Sequence, residues 1–195
     1  SPVPFSFFEL NVSCPNLLSP VDFYEPAHLS ELLTRILSGG LQKPLFIKMP
    51  ISESDHQTRL MLDVIVRFPV AGIIFGNLQK NRQDPALVPE EVTQAGKGHF
   101  SGKPTEQRSN ELIALAYREY GHRLTIIGCG GIFSAEDAYK KISAGASLVQ
   151  LITGMVYEGP QLIGEINSGL VRLLKRDGFV SIREAIGKDS CLPKK

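Results

Sequence analysis

Residues 126–154, IIGCGGIFSAEDAYKKISAGASLVQLITG, constrain the chain most, because they read as one strand–helix–strand unit. Two apolar runs rich in β-branched residues, 124–127 and 148–152, flank a segment with helix signals at both ends. Ser134, with Asp137 three residues on, has capping-box spacing, Asp standing in for the usual Glu or Gln, and Gly145 supplies a helix stop. Two strands joined by a helical crossover lie parallel, and a parallel sheet has to be covered by helices.

The remaining chain supplies more such units. Residues 7–13, 45–49 and 70–75 read as strands. Residues 28–37 place Leu29, Leu32, Leu33, Ile36 and Leu37 at helical spacing before Gly39-Gly40. The cluster Ser52-Glu53-Ser54-Asp55 starts a helix whose inward face is Leu60, Met61, Val64, Ile65 and Phe68. Residues 78–107 are polar, hold Pro85, Pro89 and Pro104, and show no sustained period, so they read as a functional loop over the strand ends. A helix over 109–120 follows, with Leu112, Ile113, Ala116 and Tyr120 on one face. After Pro160, the spacing of Ile163, Ile166, Leu170, Leu173 and Leu174 predicts an amphipathic helix running to Gly178. Five strands alternating with helices make the fold α/β, with a parallel sheet.

At 195 residues and 43% hydrophobic, the chain can bury one sizeable core, and its length suits one domain. Lys+Arg 21 against Asp+Glu 20 leaves no broad charged face for nucleic acid or an anionic membrane. Cys14, Cys129 and Cys191 lack metal-ligand spacing, and their odd number argues against a disulfide framework, which points to a reducing, cytoplasmic compartment. The four histidines show no metal spacing either, so no metal is expected. No apolar run approaches the ~20 residues that span a bilayer, and SPVPF has no signal-peptide pattern.

Three stretches carry chemistry. Gly128, Gly130 and Gly131 fall where a strand ends, and a backbone without Cβ atoms can bring its N–H groups close to a phosphate there. Neighbouring loops after two late strands are a frequent phosphate site in (β/α)8 barrels, and Ile152-Thr153-Gly154 opens the second such loop. The plainer alternative is a tight strand-to-helix turn. NVSCPN, residues 11–16, leaves the first strand with two amides flanking a thiol. The amides offer donors and acceptors to a heterocycle's carbonyl and imide edges, and a thiol can accept a proton once its pKa is matched. Alternatively, Cys14 is a small buried filler within a turn. Lys48 interrupts the apolar strand LFIKM, which calls for an anionic partner unless its amine snorkels to water.

These residues resemble dihydroorotate dehydrogenase. IIGCGGI and AGASLVQLITGMVYEGP are similar to the family's closing segment, and the likeness runs on through SIREAIG and back through SGKP, LFIKMP and NVSCPN, covering nearly the whole chain. The resemblance implies a (β/α)8 TIM barrel, of which this chain supplies about the last five βα units, with residues 1–195 forming the C-terminal portion of one FMN-binding barrel domain. It implies FMN-dependent oxidation of dihydroorotate to orotate in UMP biosynthesis. Cys14 takes the proton from C5, and hydride passes from C6 to N5 of FMN. By the same resemblance Asn11, Asn16 and Asn77 hold the pyrimidine, with Leu78 beside it. The FMN site is then Asn11, Lys48, Gly76, Gly102, Gly130, Gly131, Ile152 and Thr153, the last three near the phosphate and Lys48 against the reduced ring.

The sequence departs from the family in two places. Gly76-Asn77-Leu78 stands where Thr-Asn-Thr is usual, removing a hydroxyl from the substrate side and a side chain from the flavin side. Gly98-His99-Phe100 replaces the Gly-Gly-Leu that usually precedes SGKP. The subclass signals are mixed. Cys14 resembles the class 1 enzymes, whereas the segment from Gly145 to Pro160 resembles the quinone-linked class 2, whose membrane-facing helices would lie in a missing N-terminal part. The acceptor is accordingly a quinone, fumarate or NAD, and a homo-oligomer is compatible. Two other readings are an FMN enzyme for another pyrimidine and an inactive partial barrel or partner subunit. Five of eight strands leave two open edges, so the chain alone is expected to aggregate rather than fold as a monomer.

Overall fold

The structure, a computed structural model, describes residues 5–13 and 22–190. Its strands are β1 (Phe8–Asn11), β2 (Leu45–Met49), β3 (Gly72–Phe75), β4 (Thr125–Cys129) and β5 (Leu148–Gln150). They form one sheet in the order β1-β2-β3-β4-β5, and every neighbouring pair is parallel. Helix α1 (Pro26–Ser38) joins β1 to β2, α2 (Asp55–Ile65) joins β2 to β3, and α3 (Pro89–Gln94) and α4 (Glu106–Tyr120) lie between β3 and β4. Then come α5 (Ala135–Ala144), α6 (Thr153–Glu158), α7 (Leu162–Arg176) and α8 (Ile182–Ala185).

Alternation along each strand sorts side chains onto two faces. Ile47 and Met49 of β2, with Ile73 and Phe75 of β3, are completely buried under the helices, where they meet Leu29 and Leu33 of α1, Met61 and Leu62 of α2, and Leu112 of α4. Shortening such a residue, for example Ile73→Ala, costs about 2–5 kcal/mol. Their neighbours in sequence point to the opposite, concave face. The registers Glu9↔Phe46, Asn11↔Lys48, Lys48↔Ile74, Ile74↔Ile127 and Cys129↔Gln150 line these residues up across the sheet. A second core under β5 joins Ala138 and Ile142 of α5 to Ile166 and Leu170 of α7.

The expected cap of α5 forms, with Ser134 Oγ accepting from the Asp137 N–H at 3.1 Å and Gly145 closing the helix. Its reciprocal half differs, because the Asp137 carboxylate accepts from the Phe133 N–H at 3.0 Å. The segment 78–107 is more ordered than its composition predicts: Pro89 starts α3, and Lys103–Thr105 form a 3₁₀ turn running into α4. Helix α6 is likewise unanticipated; at six residues it is too short to show a period. On α2 the fully buried leucine is Leu62, and Leu60 is only half-buried. On α7 Leu162 is buried and Ile163 is 48% exposed, because Leu162 is the residue that packs beside Gly154 of α6. Among the described residues no helix is long and apolar enough to cross a membrane.

Candidate functional site

The five strands all deliver their C-terminal ends to one side, where the following loops surround a cleft of about 480 Å³ including its mouth. Lys48 comes from β2; Gly76, Asn77 and Leu78 follow β3; Gly102 comes from the long connection; Gly130 and Gly131 follow β4; Ile152 and Thr153 follow β5. All of these residues, from Lys48 to Thr153, border the one cleft. Cys14 and Asn16 lie outside the described residues.

Asn11 reaches the site through Asn77. The Asn77 amide donates to Ser13 Oγ at 2.6 Å and to the Ser13 carbonyl at 3.0 Å, and meets Asn11 Oδ1 at 3.5 Å. Asn11 Oδ1 also accepts from Ser13 N at 3.0 Å and Ser13 Oγ at 2.8 Å. The end of β1 is thereby stitched to the loop after β3. Asn77 Oδ1 accepts from the Leu78 N–H at 2.9 Å, which sets the direction of the side-chain amide.

The glycines have two jobs. Gly130 and Gly131 take φ of 100° and 73°, and a Cβ on either would collide with the start of α4, at Thr105 Oγ1 and Glu106 Cβ respectively. The tight-turn alternative therefore has a definite cause, the close approach of this loop to α4, and the same bareness opens the loop backbone toward the cleft. Gly102, at φ 82°, heads the 3₁₀ turn and lies 3.1 Å in Cβ terms from Thr153 Cγ2, while Thr153 Oγ1 and Ser101 Oγ are 3.1 Å apart. Gly76 differs, because a Cβ there would overlap Ile51 Cγ2. Ile51, 2% exposed, fills the space that a side chain at position 76 would need.

Charges support these loops from behind. Lys103 bridges Asp137 at 2.8 Å and Glu106 at 3.0 Å, tying the turn of Gly102 to the turn of Phe133. Burial opposes the Asp137 carboxylate, but hydrogen bonds from Lys103 and the Phe133 N–H outweigh it and hold the pKa below 3.8. Lys141, fully buried on α5, donates to Ser109 Oγ at 3.0 Å and Asn110 Oδ1 at 2.9 Å. Ser109 Oγ in turn donates to the Cys129 carbonyl at 2.7 Å, so a cation sits under the end of β4. Burial lowers its pKa to about 8, against a smaller raising effect of Cys129, Glu106 and Asp137. Lys48 is not left to snorkel or to wait for a ligand, since the Glu9 carboxylate meets it at 3.2 Å. Glu9, Gln150, Lys141, Ser101 and Cys129 are the polar site residues that sequence reasoning passes over; only Lys141, on the same face as Asp137 four residues earlier, has a local signal. Among the described residues no group of His, Cys, Asp and Glu is placed to hold a metal.

A parallel sheet with its helix-facing side packed and its polar groups gathered at the strand C-termini defines the β/α-barrel class of ligand site. The family model for dihydroorotate dehydrogenase matches residues 4–174, and the chain belongs to that family. It is 40% identical over 189 residues to a dihydroorotate dehydrogenase (quinone) of Nautilia profundicola, covering 97% of this chain and 50% of the relative. With the Nocardia farcinica protein of the same name, identity is 37% over 187 residues, covering 94% and 51%. The solved structure of DHODH from Eimeria tenella in complex with ferulenol superposes with a TM-score of 0.83 at 26% identity, covering 94% of this chain and 54% of that one. Ligand-free DHODH from the same organism gives a TM-score of 0.85, covering 94% and 56%. The chain thus spans about half the length of the relatives it matches, as five βα units of a TIM-barrel fold.

Proposed function

We propose that the whole protein oxidises dihydroorotate to orotate in pyrimidine biosynthesis, with FMN as cofactor and a quinone as electron acceptor. The observation that carries this reading is the convergence of Lys48, Asn77, Gly102, Gly131 and Thr153 on one strand-end cleft in a chain of this family. The residues present fit FMN. Bare glycine loops and the Thr153 and Ser101 hydroxyls suit a phosphate, while Lys48 suits a ring that gains negative charge. Gly131, Ile152 and Thr153 would hold the phosphate end, with Gly130 and Gly102 beside them. Lys48, Gly76 and Asn11 would border the ring. FMN, when bound, supplies the two-electron oxidant for the C6–H bond.

The protein's share is orientation and proton removal. Asn11 and Asn77 are locked to each other through Ser13, so a pyrimidine held by them, and by Asn16, meets fixed amides. Cys14 follows directly after Ser13 and takes the proton from C5. Leu78 presents an apolar wall instead of a hydroxyl. Gly76 with Ile51 specifically favours asking whether a different dihydropyrimidine fits.

The test is anaerobic mixing of the FMN-loaded whole protein with dihydroorotate, dihydrouracil and dihydrothymine, following flavin bleaching. Dihydroorotate should bleach it fastest, and Cys14→Ala and Cys14→Ser should slow bleaching by about 10²- to 10⁴-fold, the usual share of a general base. The rate should rise with pH and then level as the thiolate forms. Bleaching by another dihydropyrimidine but not by dihydroorotate would overturn the substrate; an unimpaired Cys14→Ala would overturn the base.

A further inference from the structure

Glu9 stands on the concave face of β1, two residues before Asn11; the residue as a whole is exposed, and its side chain keeps 30% of its accessible surface. Its two oxygens have different partners. Oε1 lies 3.2 Å from Lys48 Nζ on the neighbouring strand β2. Oε2 accepts from Gln150 Nε2 at 3.2 Å, on β5 at the opposite edge of the sheet. The sheet curls enough for its outer strands to touch through this carboxylate, and a group held from both sides has little freedom to swing away. Lys48 borders the cleft and Glu9 does not. A ligand in the cleft therefore meets the ammonium with a carboxylate directly behind it. An ion pair presents a dipole rather than a full positive charge, and at these partial exposures solvent does not erase the difference.

We propose that Glu9 is a positioning residue that sets the redox poise of the flavin site, pinning the Lys48 ammonium at the cleft wall and diminishing the positive charge a bound flavin experiences. This rests on the reading that the cleft holds FMN. Negative charge gained by the ring on reduction is stabilised by Lys48, and Glu9 offsets part of that stabilisation. Gln150 keeps the carboxylate aimed at the lysine.

The experiment is equilibrium reduction of the FMN-loaded whole protein against reference dyes, for wild type, Glu9→Gln, Glu9→Asp, Lys48→Met and the double variant Glu9→Gln/Lys48→Met. Glu9→Gln keeps the size and the bond to Gln150 and removes the charge. It should raise the flavin's reduction equilibrium constant about tenfold, about 30 mV for a two-electron couple. Glu9→Asp should stay close to wild type, and in the Lys48→Met background Glu9→Gln should have little effect. Gln150→Leu, which leaves both charges in place, should raise the potential less than Glu9→Gln. FMN bound normally with an unchanged potential in Glu9→Gln would overturn the proposal. So would an undiminished shift without Lys48, because Glu9 would then act on the ring directly. A wild-type protein that binds no FMN would overturn the functional reading itself, and this proposal with it.

Discussion

Raising the pH from 8 to 10.5 should stabilise this protein through Lys141. Burial lowers the folded-state pKa of this ammonium to about 8 from the ordinary 10.5. Between those values the unfolded chain keeps a proton that the folded chain has released, so the unfolded state binds more protons and stability rises with pH. Below pH 8 both states are protonated and the folded state carries the whole cost of the buried charge. A gap of about 2.5 units at ~1.36 kcal/mol each sets this at about 3 kcal/mol. Lys141→Met removes the cost together with two hydrogen bonds from a charged donor, each worth about 1.5–3 kcal/mol, and leaves Asn110 Oδ1 without its donor. Ser109 keeps its bond to the Cys129 carbonyl. At pH 7 the variant should accordingly lie between equal to wild type and about 3 kcal/mol less stable. The diagnostic quantity is the difference between the two proteins across pH, measured by urea unfolding of the whole protein with FMN removed. Relative to the wild type, the variant should lose about 3 kcal/mol between pH 7 and 10.5, since only the wild type gains there from Lys141. Parallel stability curves would refute the reasoning, showing that the ammonium is solvated or paired in the native state.

Two further substitutions probe the loops. Asp137→Asn removes the acceptor charge for Lys103, so it should cost about 1.5–3 kcal/mol and weaken FMN binding in a fluorescence titration. Because the Asp137 pKa is lowered on folding, the wild-type advantage should be present above pH 3.8 and fade as the pH falls through the lower folded value. Gly76→Thr should destabilise by about 1–3 kcal/mol through overpacking against Ile51, and Ile51→Ala should relieve the clash in the double variant, as read by thermal unfolding.

The βα order was legible because each unit carries its own punctuation. The strand over 45–49 matches β2, and the Ser134 and Gly145 signals bound α5. Helices α3 and α6 were not legible, since six residues make less than two turns and leave no stripe. Lys48, Asn77, Gly102, Gly130, Gly131, Ile152 and Thr153 were legible as motif residues, and one cleft joins them across loops that no local pattern connects. Partnerships were the least accessible part. Glu9 and Gln150 are 141 positions apart, and Lys141 meets Ser109 from 32 positions away, so only the curvature of the sheet and the packing of α5 on α4 bring them together. The overlap at Gly76 is similar: the glycine is visible in the sequence, but the packing of Ile51 against it is not.

The most direct test is a crystal structure of the whole protein grown with FMN and orotate. The flavin phosphate should lie against the Gly130-Gly131 and Ile152-Thr153 loops, the ring beside Lys48, and the pyrimidine on the amides of Asn11 and Asn77. A flavin bound elsewhere, or a phosphate that leaves the glycine loop untouched, would contradict this arrangement.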